Sequence, residues 1–274
     1  IEDLNGATVF IQRQGKSLNA FQFGDTTASY QVQPLSALSS HLLRNPIDLA
    51  ARRAASTDES DRIFIVNGTD GSMAVYSILV GQNVIAPSRF TTDGDFIAVS
   101  VEIADVYVIV KRTVNSQVRY MLEKFDSSLT LDSAKTGGAA NSVAMTQLQG
   151  KTVAIIRDGV VLASKTVPAS PFTITFTTPA TSSFQVGLDY PVTVRTMPAE
   201  PVLSGGSVQG FKKRIIQVDA IVNNTQDMTI NEKEISFRNL GVDVLDIAVQ
   251  PFTGTKIAHG FLGFSQTGQI TISQ

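Results

Sequence analysis

The sequence predicts a mainly β protein: a propeller-like meander region, small β-sandwich-like units after it, and one or two short helices. Three observations predict it. Short runs rich in β-branched and aromatic residues recur along the chain, Gly and Asp-Gly turns separate them, and helical spacing arises in a single stretch.

Thr8-Val9-Phe10-Ile11-Gln12 is the first strand, ended by Gln14-Gly15, and Ser29 to Gln33 is the second. Leu35, Leu38, Leu42 and Leu43 then recur at helical spacing. Ser36 caps the expected helix, which runs to Arg44 and is stopped by Asn45-Pro46. A second short helix or turn is expected from Ile47 to Arg53. From Arg62 the pattern becomes a meander, with strands at 62–66 and 72–80 around a turn at 67–71. Asn67-Gly68 and Asp70-Gly71 both suit the positive φ of tight hairpins. Val84-Ile85-Ala86, Phe96 to Ile103, Val106 to Arg112 and Val118 to Phe125 follow, with a turn at Thr92-Asp93-Gly94. Residues 62–125 therefore read as one propeller blade or one edge of a sandwich.

The small polar residues 132–142 read as a linker. A compact unit over 143–187 follows, with strands at 151–157, 160–167, 172–177 and 183–186 and a turn at Asp158-Gly159. About 50 residues are few for an independent core, so this unit is expected to pack on a neighbour. An exposed loop is expected over 199–209. Lys212 to Asn223 is then a long strand, either central or facing another subunit. Thr229-Ile230 and the stretches 235–237, 257–264 and 269–272 complete a last β unit. The expected organisation is a propeller-like region 1–131 with a short helix near 36–53, a linker 132–142, a small β domain 143–187, and an incomplete C-terminal β domain 188–274.

An apolar share of 43% allows a real core. Cysteine is absent, which removes disulfides, thiolate metal sites and cysteine nucleophiles and fits synthesis in a reducing compartment. With 22 basic and 24 acidic residues the formal charge is −2, so no basic footprint for nucleic acid emerges. No apolar run reaches the roughly 20 residues of a membrane helix. The start, Ile1-Glu2-Asp3-Leu4, has neither an initiator Met nor a signal-peptide pattern, and a fragment or trimmed chain is expected.

Candidate chemistry is sparse. The two histidines, His41 and His259, are far apart in sequence, and structural roles are expected for both, packing or capping in the case of His41. Asp93-Gly94-Asp95 begins like a calcium loop. Such a loop needs a bidentate Glu at its twelfth position, where this chain has Ala104, so a turn is expected. Gly205-Gly206-Ser207 lacks the Lys and the strand-to-helix context of a phosphate loop. Lys212-Lys213-Arg214 is the basic cluster, expected to be a solvated strand entry or subunit contact, with phosphate binding as the alternative. Two formal glycosylation sequons start at Asn67 and Asn223 and carry no weight without a secretion signal.

Several stretches, in order along the chain, resemble one family. They are Tyr30 through Leu43; Asp61 to Asn67 with Asp70-Gly71-Ser72-Met73-Ala74-Val75; and Val84 to Gly94, followed by Val106 to Arg112 and Tyr120-Met121-Leu122-Glu123. Val186 to Tyr190 with Val194 to Pro198, Lys212 to Ile215, and Phe252-Thr253-Gly254 complete the set. Together they resemble the tail tubular, or nozzle, proteins of short-tailed bacteriophages and related prophages. Two features depart from that pattern: Pro87 stands where an aromatic is usual, and Trp is absent. The resemblance also implies a chain cut short at its N-terminus and its C-terminus.

It implies a structural tail component in the virion, assembled in the bacterial host cytoplasm. Its partners would be itself as a ring (a hexamer), a portal adaptor, and fibres or a needle, with DNA as transient cargo in the lumen. No enzyme activity, cofactor, catalytic residue or metal ligand is implied. The competing expectations are a host-surface or glycan-binding tail module, and a depolymerase built on paired carboxylates.

Overall fold

The computed structural model describes residues 1–4, 6–24, 28–56, 59–79, 84–201, 205–238, 249–261 and 263–274. Of the segments expected from sequence, Val80, residues 202–204 and Leu262 lie outside the described residues. The chain is mainly β, in antiparallel sheets, and its helical content among the described residues is two short 3-10 turns.

Three meanders open the chain. Strands β1 (Glu2–Leu4), β2 (Ala7–Ile11), β3 (Leu18–Gly24) and β4 (Ser29–Pro34) form the first sheet in sequence order. β5 (Pro46–Arg52), β6 (Asp61–Asn67), β7 (Met73–Leu79) and β8 (Val84–Phe90) form the second in the same way. β9 (Asp95–Glu102), β10 (Asp105–Val114) and β11 (Gln117–Lys124) form the third.

The second sheet is the middle layer, which explains why β6 and β7 are apolar at nearly every position. Strand side chains alternate between faces. Ile63, Ile65, Ala74, Tyr76 and Ile78 pack toward the first sheet against Leu4, Val9 and Leu18. Phe64, Val66, Met73 and Val75 pack toward the third against Phe96, Val99, Val106, Val108 and Val110. Each fully buried Ile, Leu, Val, Phe or Met among them contributes about 1.5–3 kcal/mol of transfer free energy. Phe125 closes the outer end of the second interface, its ring 6.0–6.5 Å from those of Phe64, Phe90 and Phe96.

The sheets fan out. Strand β5 lies against both β1 and β9, and Asp48 ties β5 to β9 by accepting the Val99 N–H at 2.8 Å. The last strands β4 and β8 are exposed at every position, and β11 at most. Sheets that meet at their first strands and part at their last have the relation of successive propeller blades. The stretch 62–125, expected to be one blade, covers most of the second sheet and all of the third. Pairing breaks between β8 and β9, where Phe96 donates instead to the Gly71 carbonyl. A linear pattern of strands and turns does not show that break.

Two expected helices are absent. Residues 36–44 hold a single 3-10 turn, Ser40–Leu42. Leu35, Leu42 and Leu43 pack on the first core while Leu38 is 98% exposed, so the leucines form no continuous stripe. The loop is held by side chains instead. The Ser36 hydroxyl accepts the Leu18 N–H at 2.8 Å, and the Tyr76 hydroxyl meets Ser39. Asn67 Nδ2 donates to the Leu42 carbonyl. Residues expected as a second helix or turn form β5, because pairing with β6 and burial of Ala50 outweigh alanine's helix preference. Of the two expected hairpin glycines, Gly71 has positive φ. Gly68 does not, and serves by its small size: a Cβ there would meet Ile47 Cγ2 at 2.7 Å.

The expected linker is also structured. β12 (Asp132–Gly137) and β13 (Ala140–Ala144) occupy it, followed by β14 (Thr152–Arg157), β15 (Val160–Thr166), β16 (Thr173–Ala180) and β17 (Phe184–Leu188). A sheet in the order β12-β17-β14-β15 faces the β13-β16 pair. Between them lie Met145, Leu148, Val153, Ile155, Ile174, Phe176 and Val186. The unit thus has its own core, with the supposed linker providing two strands.

The last unit comprises β18 (Thr193–Arg195), β19 (Gln217–Thr225), β20 (Thr229–Ile230), β21 (Lys233–Glu234), β22 (Phe252–His259) and β23 (Thr271–Ser273). β18-β23-β20-β21 form one sheet and β19-β22 a second. Ile235 and Phe237, expected as a strand, are core residues outside any strand. The long strand expected from Lys212 starts at Gln217 and is not central: it pairs with β22, and Ile221 on its open face is 87% exposed.

Candidate functional site

Two groups of exposed apolar side chains lie on the outer faces of the first and third sheets, and others lie on β8 and along the last unit. On the first sheet, Leu18 and Ala20 of β3 point inward, so Phe21 and Phe23 point out. Their cross-strand partners are Val32 and Tyr30, and the four are 39–69% exposed. Tyr30 stacks on Phe21 with centroids 5.1 Å apart and meets Phe23 edge-on at 5.2 Å. On the third sheet, β10 alternates strictly. Val106, Val108 and Val110 are buried, leaving Ile109 outward beside Leu122, with Tyr120 and Val118 further along β11. Those four are 38–75% exposed. Lys111 and Lys124 border them, paired with Asp95 and Asp105.

A second feature joins the third sheet to the sandwich. The Arg112 side chain is fully buried and grips Glu123 (3.1 and 2.9 Å) and Asp132 (3.1 and 2.8 Å) with paired hydrogen bonds, while also donating to the Asp93 carbonyl. Burial opposes its charge, but the two carboxylates outweigh this and raise its pKa. Thr92 donates to Asp132 at 2.7 Å, and Lys151 of the sandwich pairs with Asp93 at 2.7 Å. Gly94 permits this packing, since a Cβ there would stand 2.3 Å from the Lys111 carbonyl oxygen. The Asp93-Gly94-Asp95 turn thus anchors two units. Glu123 and Asp132, the carboxylates that meet here, are both engaged by the guanidinium.

The remaining sequence candidates scatter. His41 and His259 are exposed, His41 on the 3-10 turn of the first loop and His259 at the end of β22, so packing does not hold His41 as expected. Their backbone carbonyls accept from Arg44 and Lys233 respectively. Lys212 and Arg214 are exposed while Lys213 turns toward the chain, bridging Ser265 through backbone and donating to the Gln266 carbonyl at 2.9 Å. Lys213 and Arg195 line a shallow cleft of about 260 Å³ with Phe264 and Gln269. Gly205, Gly206 and Ser207 lie in an exposed loop. Asn67 is 1% exposed and bonded on both sides of its amide, which bars it from glycosylation. Among the described residues, no group of three or more His, Asp or Glu is placed to hold a metal ion. Likewise, no helix is long and apolar enough to cross a membrane.

Strand alternation alone could have found the apolar faces, because Phe21, Phe23, Tyr30 and Val32 keep period two. Reading them as outward needed the partner sheet. The Arg112 cluster had no sequence signal, its members being spread over forty residues. No protein-family model matches the chain, and no curated protein matches it.

Proposed function

We propose that the chain is a structural component of a bacteriophage tail, part of the wall of the tube or nozzle ring through which DNA is ejected. Its function on this reading lies in assembly with copies of itself and with neighbouring tail proteins. The observation that carries it is the pair of open apolar faces at the two ends of the sheet stack. An apolar patch of a few hundred Å², the size of the largest on a typical monomer, is often functional. The ordered family resemblance supplies the biological setting, and a formal charge of −2 suits a conduit that does not retain DNA by phosphate contacts. Electron microscopy of the purified protein under assembly conditions tests it. Closed rings with a central channel are expected, and particles that stay monomeric at every concentration would sink the reading.

A second reading rests on the aromatic group Phe21, Phe23 and Tyr30, whose exposed rings offer a stacking platform for sugars. On that reading the chain is a host-surface or glycan-binding tail module. Specific signals on a glycan array, lost on Tyr30→Ala, would favour it over the wall.

A further inference from the structure

We infer that the outer face of the first sheet and the outer face of the third are the two halves of one head-to-tail contact, and that its occupant is a second copy of this chain. The inference rests on the assembly reading above and names the surfaces and partner that reading needs.

The argument starts from the repeat inside the chain. The first sheet's inner face packs on the second, and the second's opposite face packs on the third, each time sheet on sheet with first strands in contact. The third sheet's outer face is the forward face of that series, and the first sheet's outer face is its backward face. A forward face fits a backward face. Among the described sheets of the series, the free backward face is the first sheet of another copy, so the contact continues a packing the chain already makes twice.

Composition agrees. Each group of four partly open side chains presents roughly 400 Å² of apolar surface, taking about 150–250 Å² for a whole aromatic side chain. That is half of the roughly 800 Å² a standard interface takes from each partner, the remainder being polar rim. Chemistry favours the unlike pairing. The third-sheet face carries Lys111 and Lys124, each paired with an Asp of its own chain. The first-sheet face instead offers aromatic rings, over which a Lys ammonium is attracted, as Lys124 already sits 5.9 Å from the Tyr107 ring centre within the chain. A contact between different faces is heterologous, and it closes a ring or extends a filament according to the rotation between copies.

Mixing variants tests this directly. Phe23→Glu blocks the backward face and Leu122→Glu the forward face. Each alone is expected to weaken self-association, measured by sedimentation, at least about tenfold, as loss of a central anchor does. Mixed, they are expected to form pairs and nothing larger, because each keeps the face the other lacks. Self-association by either variant at parental strength would overturn the inference, since a like-with-like contact spares one of them. Should a Glu variant lose its strand signal by circular dichroism, Phe23→Ser and Leu122→Ser take their place.

Because the chain has no cysteine, Phe23→Cys and Leu122→Cys proteins supply a second readout. A short bismaleimide is expected to join one to the other in preference to either with itself. Channel-bearing rings that persist in both Glu variants would overturn the face assignment and leave the tail-wall reading standing. A parent without rings would remove that reading, while cross-links between the Phe23→Cys and Leu122→Cys proteins would still support the contact.

Discussion

Asp158 shows how one side chain fixes a local fold. It holds positive φ at the tip of the β14-β15 hairpin, and its carboxylate accepts the N–H groups of Thr181, Ser182 and Ser183 and the Ser182 hydroxyl, at 2.7–3.1 Å. Those backbone N–H groups, above all, hold its pKa well below the usual carboxylate range. A depressed folded pKa stabilises above the unfolded value, near 3.9, and that stabilisation drains away as pH falls from there toward the folded value. Asp158→Asn is therefore expected to lower the melting temperature at neutral pH, with the gap to the parent shrinking below about pH 4; a pH series of thermal melts checks it. Arg112 acts by burial. Replacing it with Leu strands Glu123 and Asp132, whose side chains are 18% and 21% exposed. Breaking a buried ion pair costs about 3–5 kcal/mol, and partial access to water sets the expectation at the lower end, about 3 kcal/mol. Urea unfolding measures the loss. Limited proteolysis is expected to find new cuts near residues 126–132, where the sandwich would loosen from the third sheet.

At the scale of elements, the second sheet matters most because both its faces are interior. Phe64 is 2% exposed and packs in the second interface, where its ring meets Phe125. Phe64→Ala is expected to cost about 3–5 kcal/mol. Phe21→Ala, on the open face of the first sheet, is expected to cost less than about 1 kcal/mol in the dissociated protein. Chemical denaturation of both variants tests the contrast. Legibility in the sequence divides along the same line. Strands with a continuous apolar run, such as β6 and β7, or with alternation of their own, such as β10 and β11, can be read directly between their turns. β5 cannot, because Asp-Leu-Ala-Ala-Arg carries helix preference and becomes a strand only through pairing with β6. β12 cannot either: Asp-Ser-Ala-Lys-Thr-Gly has linker composition, and Lys135 and Thr136 are strand residues because Val186 and Gln185 lie beside them. The exposed faces were half legible. Their period is in the sequence, but which side meets water is decided by the neighbouring sheet.

For the whole molecule, the arrangement of cores sets how it comes apart. The two cores of the fan share the second sheet and should melt together. The sandwich has a core of its own, but the Arg112 cluster and the Lys151–Asp93 pair bind it to the third sheet. The last unit draws its core entirely from Ile215 onward. Cores that share no residues need not unfold as one. Calorimetry is therefore expected to resolve two transitions, one for the fan with the sandwich and one for the last unit. Ile230, fully buried, supplies the discriminating change. Ile230→Ala removes about 2–5 kcal/mol from that unit, which for a domain of its size lowers its melting by about 10 °C or more, and is expected to leave the other transition in place. Arg112→Leu is expected to do the reverse. If either substitution moves both transitions together, the units are coupled through contacts beyond their cores.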